Sequence, residues 1–206
     1  MRLPLLVAAL LLASGQMAAA HGVWVAQRWG GPAIVHGHGA SDDPYDAAKV
    51  TRVTAVGEEG QAVEVEVTTE SRHASLSFAE EPAAILVEFD NGFWTERQDG
   101  SRVNAGESTV GDAKAAGHYV KHNLTLVHAH GRLPELPAQA LQIQPLANPQ
   151  GREVGDALRV RVLFDGQPLA GAEPIPDYVN MGDGPKVVAD AKRSRPWSPS
   201  ATRAST

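Results

Sequence analysis

Apolar and polar residues alternate with period two at Val50 to Val56, Ala62 to Thr68 (AVEVEVT), Leu141 to Leu146 and Leu158 to Phe164. Successive side chains of a strand point to opposite faces, so this period predicts half-buried β-strands. Turn chemistry punctuates them. Glu59-Gly60 after VTAVGE, Asp90-Asn91-Gly92 after ILVEF and Asp165-Gly166 after RVRVLF read as hairpin or loop signals. Short strands with regular turns predict an all-β fold, an immunoglobulin-like antiparallel β-sandwich. At most one short helix is expected, with Gly111 to His122 (GDAKAAGHYVKH) as the one plausible stretch for it, although Gly117 weakens it and a strand beginning at Tyr119 competes.

The two ends depart from this patterning. Arg2 supplies a positive start, Leu3 to Leu12 an apolar run, and Ala18-Ala19-Ala20 an A-x-A cleavage site, so residues 1–20 read as a signal peptide cut after Ala20. The apolar run is shorter than the ~20 residues a membrane span needs. The expectation is an exported, periplasmic chain that is not itself embedded in the membrane. At the other end, Gly184 to Thr206 is rich in Ser, Arg, Ala and Pro with no sustained period, and reads as a disordered tail. The domain is then expected over residues 21–183.

Composition narrows the chemistry. The net charge of −6 gives no reason to expect a nucleic-acid partner. Cysteine is absent, which excludes disulfides, thiolate sites and acylation of a lipoprotein-type leader. Met1 and Met17 leave with the leader, so Met181 alone remains, too little sulfur for a soft Cu(I) site. No H-E-x-x-H, G-x-S-x-G, Walker or dinucleotide motif is present.

Histidine is the informative residue, with eight copies that fall in groups. Cleavage after Ala20 would give His21 a free α-amine beside its own Nδ1, a pair able to close a six-membered chelate ring on a metal. His36 and His38, in AIVHGHGASDD, would share one face of an extended segment. Asp42 and Asp43 follow closely enough to act as oxygen ligands or as partners of the imidazole N–H groups. His21, His36 and His38 would make a nitrogen-rich set suited to Ni(II), Co(II), Cu(II) or Zn(II). A second group, His118, His122, His128 and His130, provides further candidates, either joining the first or lying as surface imidazoles. His73 has no histidine neighbour in sequence and reads as a structural or surface residue.

The opening HGVWVAQRWGGPAIVHGHGASDDPYDAAKV resembles the periplasmic component of nickel and cobalt uptake systems of the energy-coupling-factor type, the nickel uptake transporter family. The stretch ALQIQPLANPQGREVGDALRVRVLFDGQPLAGAEPIPDYV is similar to that family's second half, and the resemblance runs from about His21 to Val179. It implies an extracytoplasmic sandwich that captures Ni(II) or Co(II) at His21, His36 and His38 and passes it to a membrane metal-uptake transporter, without catalysis. The chain departs from the family at its C-terminus, where VVADAKRSRPWSPSATRAST, from Val187, abandons strand patterning. Two other readings are compatible with the residues: a copper oxidase using a histidine brace on a β-sandwich, and an immunoglobulin-like adhesion or scaffold module whose histidines are incidental.

Overall fold

The computed structural model describes residues 21–38, 41–128, 132–153 and 156–174, with the backbone of 196–197. The segments expected to be a leader (residues 1–20) and a tail (residues 184–206, apart from 196–197) lie outside the described residues. Described strands are β1 (Gly22–Arg28), β2 (Gly31–Gly37), β3 (Val50–Val56), β4 (Ala62–Val63), β5 (Val65–Thr69), β6 (Ala74–Phe78) and β7 (Ala84–Arg97). They continue as β8 (Arg102–Val103), β9 (Ala113–Leu126), β10 (Leu141–Pro145), β11 (Leu158–Phe164), β12 (Gln167–Pro168) and β13 (Pro196–Trp197). The described helical segments are two single turns of 3-10 helix, Ala47–Lys49 and Glu107–Thr109. Among the described residues no helix is long and apolar enough to cross a membrane.

The strands form antiparallel sheets, as the alternation predicts. One sheet runs β1-β2-β6-β5; a second runs β4-β3-β7-β8, with β9 paired along β7; a third joins β10, β11 and β12, with β13 against β11. The first two face each other. Ile34, Ala74 and Leu76 from one and Ile85, Val87 and Phe89 from the other form a common core, closed by Tyr45 and Ala47 of the connection between β2 and β3. Burying such side chains is worth about 1.5–3 kcal/mol each. With no disulfide available, this layer carries the stability.

Local chemistry explains the joints. The segment predicted as one strand from Ala62 breaks at Glu64: β4 pairs with β3 in one sheet, and β5 pairs with β6 in the other. Asp165 and Gly166 both take positive φ, 47° and 74°, as a two-residue hairpin between β11 and β12 requires.

Two expectations are corrected. Gly111 to His122 is no helix: residues from Ala113 onward form β9, paired with β7 from Ala84↔Leu126 to Arg97↔Ala113. A long ladder and partner packing outweigh the modest helical preference of its alanines. Asp90-Asn91-Gly92 is no hairpin either. The chain continues through it as β7, with a register shift between Asp90 and Phe93. Gly92 takes φ +80 and donates its N–H to Asp90 Oδ1 at 2.7 Å, so the turn residues are consumed in a bulge.

Phe89 is completely buried at the centre of the core, whereas Phe93, beyond the bulge, is 54% exposed. Phe89→Ala should cost about 3–5 kcal/mol and Phe93→Ala less than about 1 kcal/mol, measured by urea unfolding.

Candidate functional site

The β1–β2 hairpin pairs Val23 with His36 and Gly22 with Gly37, so His21 enters beside the far end of β2. The His21 and His36 rings stack with centroids 5.2 Å apart and planes within 11°. A tight turn brings a carboxylate to the same place. Ser41 donates its N–H to the His38 carbonyl, its hydroxyl bonds the His38 backbone, and the Asp43 N–H reaches back to the His36 carbonyl at 2.8 Å. Asp43 Oδ2 then lies 2.9 Å from His21 Nε2. Gly37 is required for this closure, because a Cβ there would sit 2.0 Å from the Ser41 carbonyl oxygen.

Asp43 faces Nε2 of His21 at ion-pair distance. A carboxylate beside one ring nitrogen favours a proton on that nitrogen, which in the neutral ring would leave the lone pair on Nδ1. Nδ1 is also the nitrogen that can chelate together with the residue's own α-nitrogen. Carboxylates commonly orient metal-binding imidazoles in this way.

His36 stands behind His21. Its other face stacks on Phe89 at 5.2 Å, and Tyr45 meets it edge-on at 6.0 Å. Tyr45 is pinned by donating its hydroxyl to the Ile34 carbonyl and accepting the Ala74 N–H. Neither His36 nitrogen has a hydrogen-bond partner, though both are buried. Leaving a buried polar atom unpaired costs about 1–3 kcal/mol, so this ring invites an explanation. Its pKa falls to about 4, first because burial disfavours the cation, then through His21 and Lys121; Asp43 opposes the shift and Lys49 adds a little to it. His36 is therefore a neutral imidazole with its lone pair available at neutral pH. Lys121, on the inner face of β9 opposite Phe89, donates its ammonium to the His21 carbonyl, and burial lowers its pKa.

The candidates from the sequence divide as follows. His21, His36 and Asp43 come together. His38 lies one residue past the end of β2 and is exposed, with its backbone held in the turn. Asp42 pairs instead with Arg28 at 2.7 Å. His118 pairs with Asp90 at 2.8 Å and stacks on Phe93. His122 has an unpartnered Nδ1, 3.9 Å from Glu88 Oε1, and Glu88 is also bound by Arg52. His128 reaches Glu81 at 2.6 Å, and His130 lies outside the described residues. Among the described residues, no three His, Asp or Glu side chains already stand at the spacing of a closed metal site. A site at His21 thus needs a donor from outside that set. Two residues of the site, Lys121 and Phe89, carry no signal in the sequence: Lys121 falls in the segment predicted helical, and Phe89 has the pattern of ordinary core.

The chain belongs to the family described as domain of unknown function DUF4198, whose model matches residues 18–195. No curated protein and no solved structure matches it.

Because His36 is harder to protonate in the fold than in the unfolded chain, it contributes no penalty above about pH 6.5. Between about 6.5 and about 4 the unfolded state takes up a proton that the native state does not, and stability falls with pH. Urea unfolding in the presence of a chelator should show this slope, and His36→Phe, which keeps an aromatic ring but cannot titrate, should flatten it.

Proposed function

We propose that this DUF4198 chain is an exported, non-catalytic binding protein for a divalent transition metal, Ni(II) or Co(II), which it delivers to a membrane uptake transporter. In this reading, cleavage after Ala20 converts the His21 nitrogen from a peptide amide into an amine. That amine and Nδ1 of the same residue chelate the metal, and His36 supplies a further nitrogen. Asp43 holds the His21 ring through Nε2. The donor set is all nitrogen, which suits borderline metals such as Ni(II), Co(II), Cu(II) and Zn(II) better than Mg(II) or Ca(II). His38 is not needed for this minimal set.

The observation that carries the proposal is the neutral His36 ring, stacked directly on His21, with both of its nitrogens buried and unpartnered. The resemblance of the mature opening to nickel and cobalt uptake components and the leader-like first twenty residues point the same way.

Titration calorimetry with Ni(II) tests it. The chain beginning at His21 should bind with one-to-one stoichiometry, and His36→Ala should weaken binding by about tenfold or more. One extra alanine ahead of His21 should weaken it comparably, because the amine moves out of the chelate ring. Equal affinity with and without the extra residue would remove the amine from the site.

A further inference from the structure

A second concavity lies between the two facing sheets, built from other residues than the histidine site. Its volume is about 640 Å3, within the roughly 300–1,000 Å3 usual for small-molecule sites. Val25, Leu76, Phe78, Ile85 and Val127 give it apolar walls, and Leu76 and Ile85 are almost completely buried members of the core. Along β1, Val25 is four residues from His21, about 13 Å at the rise of a strand. Here the sandwich is not filled by its own side chains. An open apolar space of this size forgoes the contacts that a packed interior would supply.

Its polar groups are few and of one sign. Glu80 and Glu81, both exposed, contribute to the lining, and Gln27, Ser77 and Thr125 add neutral hydrogen-bonding groups. Among the described residues, no Lys or Arg lines it. Glu81 is engaged by His128 at 2.6 Å, while Glu80 makes no ion pair among the described residues. An apolar interior with a carboxylate rim complements a ligand with a hydrocarbon body and a cationic end. A carboxylate-ended ligand would meet repulsion at the same rim.

We infer that this cavity is a binding site for a small hydrophobic amine, its hydrocarbon part between the sheets and its ammonium at Glu80 and Glu81. Titration of the full processed chain with hexylamine, hexanol and hexanoate at neutral pH separates the contributions. All three have similar hydrocarbon bodies, so the end group alone distinguishes them. Hexylammonium should bind saturably and about fivefold or more tighter than hexanol, with hexanoate weakest, as partly exposed ion pairs at the rim would give. The double variant Glu80→Gln/Glu81→Gln should bring hexylammonium to the affinity of hexanol. Thr125→Phe, which places a ring in the cavity opposite Ile85, should abolish binding of all three.

Nickel affinity serves as the internal control, because none of these positions belongs to the histidine site. It should be unchanged in the Gln variants whichever way the amine titration turns out. Absence of saturable hexylamine binding, equal affinity for all three probes, or binding that survives Thr125→Phe in a folded chain would overturn the inference.

Discussion

A neutral imidazole with two buried, unpartnered nitrogens costs free energy where it stands, and the end of the β1–β2 hairpin holds one in place. His36 is pressed between His21 and Phe89 and faced by Tyr45, whose own hydroxyl is fully engaged with backbone. The aromatic packing that removes water from the ring also depresses its pKa, so the same contacts keep it in the form that can donate a lone pair. Everything proposed for the metal depends on this coupling between core packing and basicity.

The coupling reaches into the fold. Phe89 belongs at once to the central core and to the floor beneath His36, so the sandwich fixes the ring's position. Gly37 permits the tight turn that returns Asp43 to His21, where its carboxylate faces Nε2 of the ring. Lys121 anchors the carbonyl of the same residue from β9, across the sandwich. Both facing sheets therefore contribute to placing one residue at the start of β1. In the proposed reading the metal also needs the His21 α-nitrogen as a free amine, which processing after Ala20 would supply.

Legibility in the sequence followed the physics of each segment. Where one face is apolar and the other polar, as in β3 and β11, alternation reproduced the strand bounds. It was weaker in β9: Ala113 to Gly117 has no alternation, while from Tyr119 onward Val120, Leu124 and Leu126 alternate with Lys121, Asn123 and Thr125, and pairing with β7 makes the whole one strand. Asp90-Asn91-Gly92 carried genuine turn chemistry, but the ladder on either side was long enough to absorb it as a bulge. In the candidate site, the His-Gly-His spacing pointed to His36. It implied a shared face for His38 only while the strand lasted, and β2 ends at Gly37. Nothing local distinguishes Asp42 from Asp43. The choice is made by Arg28, fourteen residues away, which claims Asp42.

X-ray absorption at the nickel edge of the chain beginning at His21 tests the central claim most directly. The expected result is a nitrogen-rich first shell at about 2.0–2.1 Å, with the outer-shell scattering of two imidazole rings that drops to one in His36→Ala. A shell of water oxygens without imidazole scattering, or an imidazole count unchanged when His36 is removed, would contradict it.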